Sequence, residues 1–221
     1  MDIKNLVDLL SKIGTIIVYI TAITGSIYYY KYKHTVLKYL LLVLWYAVIN
    51  ESLGYYIRVY TSINNTLLYN IYYLIYFSFL FLLFRKYVKE NKHKKWITIF
   101  HVIYVISFFI NGFNQDYLQE IQVTPYIIGG SLIITSIIFY FSEILNTNKV
   151  LYVSKNLLFW VSVGLLLIFA GTIPVRFIIN YWDEDVVAYD SLIKLVSFIL
   201  YIVMYICFIV GFICSEKDSK Y

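Results

Sequence analysis

Seven long runs without a charged side chain, separated by short connections rich in Lys, Arg, Asp and Glu, constrain this chain more than any other feature. The runs are Ile13–Tyr30, Tyr39–Asn50 (continuing past Glu51), Val59–Phe84, Trp96–Gln115, Ile121–Ser142, Asn156–Val175 and Leu195–Ser215. About 20 predominantly apolar residues suffice for a helix to cross a bilayer. Seven such helices with short connections use nearly all of the 221 residues. The expectation is one all-α domain over residues 1–221, an integral membrane bundle with no separate soluble domain. Membrane strands are the competing reading, because Ile, Val, Tyr and Phe dominate. They would show alternating segments of about ten residues, whereas these runs are longer and apolar on every face. A helix also satisfies its own backbone hydrogen bonds in lipid.

Composition explains why lipid must be the solvent. The chain is 61% hydrophobic, 20% aromatic and tyrosine-rich, and only 14% charged, against about a quarter charged in soluble domains. A net charge of +5 on a soluble protein would suggest nucleic acid. Here the cations sit between apolar runs, so topology accounts for them and no nucleic-acid partner is expected. The leading segment MDIKNLVDLLSK mixes acids with bases and has no small-residue cleavage site. It reads as the approach to a first span and not as a removable signal.

Orientation follows from the basic residues, which concentrate in cytoplasmic connections. Lys31, Lys33 and Lys38 fill the first connection. Arg85, Lys86, Lys89, Lys92, Lys94 and Lys95 fill the third. Lys149 and Lys155 fall in the fifth, and Lys217 and Lys220 in the tail. Together these are thirteen of the eighteen basic residues. The alternate connections carry Asp116, Glu120, Asp183, Glu184, Asp185 and Asp190. The N-terminus is therefore expected outside and the C-terminus in the cytoplasm, with Trp96 and Trp182 near the interfaces. Ile- and Lys-rich, Ala-poor usage points to a bacterial source, hence to a bacterial cytoplasmic membrane.

Ionisable groups within a span cost roughly 2.5–3.5 kcal/mol each at a helix centre and need partners. Glu51 follows Asn50 near the middle of the second run, and Glu51, Tyr55 and Arg58 share one helical face. The sixth run ends at Thr172, Pro174 and Arg176; Lys194 leads into the seventh, and Asn70 enters the third. The topology places Glu51, Arg58, Asn70, Arg176 and Lys194 at similar depth in the outer half. That set, with Tyr73 from the stripe Tyr69, Tyr72, Tyr73 and Tyr76, is the candidate site for an anionic or zwitterionic ligand. The alternative is structural: Arg58, Arg176 and Lys194 snorkel to headgroups, Glu51 partners one of them, and the tyrosines pack helices. Pro174 is expected to bend its helix, and Gly129, Gly130, Gly164 and Gly171 to allow close helix approach.

Enzymatic signals are poor, and neither an enzyme nor a cofactor is expected. His34 and His93 sit in basic connections and His101 near the start of the fourth run. No pair has zinc-ligand spacing, and HExxH, phosphate-loop and GxSxG patterns are missing from the sequence. Cys207 and Cys214 lie roughly 10 Å apart on one helix at 1.5 Å per residue, too far to bridge. The third connection has the charge to touch anionic lipids.

An offset of 115 residues places Ile13-Gly14 on Ile128-Gly129 and Trp45 on Trp160, and a two-residue insertion brings Gly54 onto Gly171. This is either a parallel 3+1+3 repeat or the chance matching of apolar segments. Seven helices, an outer N-terminus and basic cytoplasmic connections resemble two bacterial groups. These are the heptahelical sensor modules that precede some histidine kinases, and the small SWEET-like 3+1+3 carriers. The resemblance covers the whole chain and rests on layout. The PQ dipeptide of the PQ-loop carriers and a retinal-type lysine deep in the last helix are missing. After Cys214 comes only SEKDSKY, so a sensor reading implies a separate signalling protein. The functional expectation is a small multi-pass protein, receptor-like or accessory to a signalling or membrane partner. Alternatives are a small-solute carrier, and a pore-forming or oligomeric effector or accessory of bacterial defence.

Overall fold

The structure, a computed structural model, describes residues 3–61, 63–145, 150–181 and 190–217; for residues 4, 58, 150–152, 179–181 and 190–192 it describes the backbone alone. Among these residues the chain is all-helical. The helices are α1 (Ile3–Ile27), α2 (Lys38–Tyr60), α3 (Thr66–Tyr87), α4 (Asn91–Asn111), α5 (Val123–Leu145), α6 (Leu157–Tyr181) and α7 (Asp190–Cys214). Short 3₁₀ turns, Tyr29–Lys31 and Val150–Lys155, lie in two of the connections.

Six of the seven are long and apolar enough to cross a membrane; α4 is not among them. Lys92, Lys94 and Lys95 occupy its first turns, and the apolar stretch Trp96–Ile110 rises only about 22 Å at 1.5 Å per residue. The helices expose rows of large apolar side chains, such as Ile16, Ile20, Ile23 and Ile27 on α1 and Val102, Ile106 and Phe109 on α4. A soluble monomer rarely exposes such continuous apolar surface. The arrangement is that of an apolar multi-helix bundle compatible with a multi-pass membrane protein, whose outer surface would contact lipid.

Element boundaries correct the sequence expectation in one place. The third run was expected to begin at Val59, yet α2 continues to Tyr60 and α3 begins at Thr66. Asn64 explains the break, since its Oδ1 accepts from the Thr66 backbone N–H (3.1 Å) and hydroxyl (2.6 Å). Absence of charge did not mark this turn; a side chain that competes for backbone donors made it. Arg58 therefore belongs to the last turns of α2. Pro174 sits within α6, which continues to Tyr181.

The chain divides into two compact units. One holds Met1–Leu44 and Lys149–Tyr221, the other Trp45–Asn148. These are not the two halves that the 115-residue offset predicts. In the first unit α7 packs on both α1 and α6. A Cβ on Gly164 would stand 2.9 Å from the Met204 carbonyl oxygen, so only a residue without one allows this approach of α6 to α7. Gly171 is similarly crowded by Leu200, and Gly211 by Trp160. One end of this unit is tied by polar contacts. Lys31 Nζ donates to the carbonyls of Phe212 (3.2 Å) and Ile213 (2.7 Å) at the end of α7, where the helix dipole favours a cation. Tyr32 donates to the Gly25 carbonyl (2.5 Å), and burial, reinforced by Tyr29, pushes its phenol above the usual range. Asn156 caps α6 by accepting from the Leu158 N–H (2.9 Å). Trp160 Nε1 donates to Ser154 (2.7 Å), and Lys155 pairs with Glu216 (2.6 Å).

In the second unit α3, α4 and α5 pack on one another around Phe77, Phe81, Tyr104, Ile133 and Ile137, all fully buried. Gly129 lets the Tyr104 ring lie against the α5 backbone, because a Cβ there would meet it at 2.7 Å. The Tyr104 hydroxyl donates to the Tyr73 carbonyl (3.0 Å), which satisfies a polar group at the centre of three apolar helices.

Candidate functional site

The most concentrated ionisable cluster among the described residues lies in the second unit, where α3 turns into α4. The chain leaves α3 at Tyr87 and runs extended through Val88 (φ −66°, ψ 141°) and Glu90 (φ −65°, ψ 127°) before α4 begins. Val88 still donates its N–H to the Phe84 carbonyl (3.0 Å), but the Lys89 and Glu90 N–H groups that follow, just before α4, have no helical acceptor. Glu143, in the last turn of α5, supplies the acceptors. Its Oε2 accepts from the Lys89 N–H (2.6 Å) and its Oε1 from the Glu90 N–H (3.2 Å). A carboxylate at this place also meets the positive end of the α4 dipole.

His93 completes the arrangement from the first turn of α4. Its Nδ1 is 2.7 Å from Glu143 Oε1, and its Nε2 is 3.6 Å from Glu90 Oε2. The ring stacks on Phe139, with centroids 4.4 Å apart and planes 10° from parallel. An ionised carboxylate only accepts, so the Nδ1 proton is assigned to the Glu143 side. In the neutral ring Nε2 then presents a lone pair toward Glu90; in the imidazolium the ring bridges two carboxylates. The His93 and Glu143 side chains are 16% and 12% exposed, while Glu90 is 62% exposed. One side of the cluster is thus fixed and the other opens to the surroundings. Ligand atoms of Glu90, His93 and Glu143 lie within 4.8 Å of one another, close enough for small side-chain movements to bring them onto one metal ion. Arg85, Lys86, Lys89, Lys92 and Lys95 are exposed around the connection.

Sequence reasoning treated His93 as a histidine in a basic loop and did not single out this cluster. Glu90-x-x-His93 was visible as an i, i+3 pair, but Glu143 is 50 residues from His93. Only folding brings it there.

The sequence-predicted residues fall in both units. Glu51 and Arg58 on α2, and Asn70 and Tyr73 on α3, belong to the second unit; Arg176 on α6 and Lys194 on α7 belong to the first. Glu51, Tyr73 and Arg176 are half-buried and Lys194 is exposed; the Arg58 side chain, with Trp182 and the Asp183–Asp185 acids, lies outside the described residues. Asn70 is 1% exposed, and the 112–122 connection engages its amide. Nδ2 donates to the carbonyls of Tyr117 and Glu120 (both 2.9 Å), and Oδ1 accepts from the Gln122 N–H (3.1 Å). Asn111 Nδ2 adds bonds to Gln115 and Gln122 (both 2.7 Å). The Tyr117 hydroxyl donates to Phe108 (2.8 Å). Asn70 therefore holds a connection in place.

The tyrosine stripe on α3 is half-buried, whereas Leu67, Ile71 and Ile75 are exposed. Tyr72 stacks on Tyr76 (5.5 Å between centroids) and meets Tyr46 of α2 (5.5 Å), and Tyr73 lies edge-on to Tyr126 of α5 (5.4 Å). Aromatic packing between helices accounts for the stripe. Asn50, next to Glu51, is 1% exposed, and its side-chain oxygen has no hydrogen-bond partner among the described residues.

No family model, curated protein or solved structure matches this chain.

Proposed function

We propose that this chain is a non-enzymatic multi-pass membrane protein, receptor-like or accessory, whose α3–α4 connection engages a separate acidic signalling or membrane partner at the cytoplasmic face. The observation that carries the reading is the fastening of that connection by Glu143. A loop needed only for topology requires positive charge but no fixed shape. A connection held at two backbone amides and one imidazole presents its exposed cations in a defined pattern, which lowers the entropic cost of binding an anionic surface. In this reading α4 is a seventh span whose lysine-bearing first turns lie at the cytoplasmic surface of the membrane. The N-terminus then lies outside the cytoplasm of a bacterial cell and the C-terminus within it.

A photo-crosslinking residue at position 92 in cells tests the proposal. It should capture a discrete partner, and Lys89→Glu with Lys95→Glu should abolish capture without lowering the amount of inserted protein. Crosslinks to lipid alone, or capture indifferent to charge reversal, would overturn it.

Asn50 favours a second reading, a small-solute carrier. A buried acceptor without a partner among the described residues costs about 1–3 kcal/mol, and a transported hydrogen-bond donor would satisfy it beside Glu51. Uptake by proteoliposomes that disappears in Asn50→Leu, with melting unchanged or improved, would support the carrier. Absence of uptake across a panel of zwitterionic solutes would remove it.

A further inference from the structure

We propose that Glu90 and His93 form a binding site for a divalent transition metal ion, zinc by ligand chemistry, with Glu143 orienting the imidazole. The geometry divides the cluster into two parts. Two ligand atoms each about 2.1 Å from a tetrahedral zinc ion stand roughly 3.4 Å apart, and Glu90 Oε2 and His93 Nε2 are 3.6 Å apart. The Glu143–His93 separation of 2.7 Å is instead a direct hydrogen bond. A carboxylate on the far nitrogen of a metal-binding histidine fixes its tautomer and its ring orientation. Glu143 does this while Phe139 fixes the ring plane.

His93 is thus prepared as a ligand before any ion arrives. Glu90 begins in the extended residue before α4 and is exposed, so its carboxylate can close on an ion without disturbing its N–H bond to Glu143. Two protein ligands leave two tetrahedral positions for water or an incoming group, one more than the three-ligand open zinc sites leave. Neighbouring lysines oppose a dication, and the two carboxylates offset part of that repulsion. The inference stands on this geometry and does not depend on the docking reading above.

The test uses the full chain in detergent, stripped with chelator and titrated with zinc chloride alone by calorimetry. Cobalt(II) absorption reports the ligands in parallel. One zinc ion should bind per chain. Glu90→Gln and His93→Gln should each raise the dissociation constant at least about tenfold and weaken the cobalt ligand-field bands. Glu90→Gln keeps the backbone N–H that Glu143 holds, so it should melt as wild type without zinc. It decides the question even if His93→Gln fails to fold. Failure of the wild type to bind would overturn the proposal. So would zinc binding that survives either substitution, because it would place the ion elsewhere, at Cys207, Cys214 or another histidine.

Discussion

Replacing Asn70 separates an architectural amide from a ligand-binding one. Asn70→Leu removes two donated bonds and one accepted bond at a side chain that is 1% exposed. The consequences differ by partner. The Gln122 N–H loses its acceptor in a residue that is itself 2% exposed, so it incurs the desolvation penalty of about 1–3 kcal/mol for an unsatisfied buried group. The Tyr117 carbonyl belongs to a half-buried residue and loses only the net value of a bond, about 0.5–1.5 kcal/mol. The Glu120 carbonyl keeps a long contact with Gln122 Nε2 (3.5 Å) and adds little. The expected destabilisation is about 2–4 kcal/mol, which for a chain of this size lowers Tm by roughly 4–16 °C.

Asn70→Asp sharpens the test. It preserves shape and the accepted bond, but turns a carboxylate oxygen toward two carbonyls now 2.9 Å from the amide nitrogen. It should destabilise at least as much as leucine. The assay is thermal unfolding of the detergent-solubilised chain without added ligand. If both variants melt within about 2 °C of wild type, the amide network does not hold the 112–122 connection.

Glu143→Gln replaces one acceptor oxygen with a donor facing N–H groups, so hydrogen exchange at the Lys89 and Glu90 amides should accelerate at least about tenfold while exchange in the middle of α5 stays unchanged; equal protection in both proteins would refute the fastening. Gly164→Ala places a methyl 2.9 Å from the Met204 carbonyl, an overpacking expected to cost about 1–3 kcal/mol. Melting at the wild-type temperature would show that α6 and α7 approach less closely. Impermeant labelling of single cysteines on a Cys-less background should reach position 184 and spare position 92 in intact cells. The reverse pattern would invert the orientation, and labelling of both would place α4 outside the bilayer.

The helical class, the seven helices of the described residues and most of their extents were legible in the sequence, because hydropathy and backbone self-satisfaction are local properties of each run; six of the seven are long and apolar enough to cross a membrane. Glycines that permit close approach were legible too: Gly129, Gly164 and Gly171 all sit where a Cβ would collide. Local chemistry also showed which α3 residues avoid the outer surface, since a line of tyrosine hydroxyls needs partners. Three matters belonged to tertiary structure alone. The turn before Thr66 came from an Asn64 side chain bonding to the backbone, which a count of charges does not register. The bonds between the Asn70 amide and the 112–122 connection, roughly 50 positions away, likewise came only with packing. Glu143, just past the fifth uncharged run, accepts from the Lys89 and Glu90 amides of a connection between two other helices and orients the His93 ring. Apolar burial is non-directional and can be summed along a sequence. A hydrogen bond needs its donor and acceptor within about 3 Å, and in this chain those pairs come together only when the helices pack.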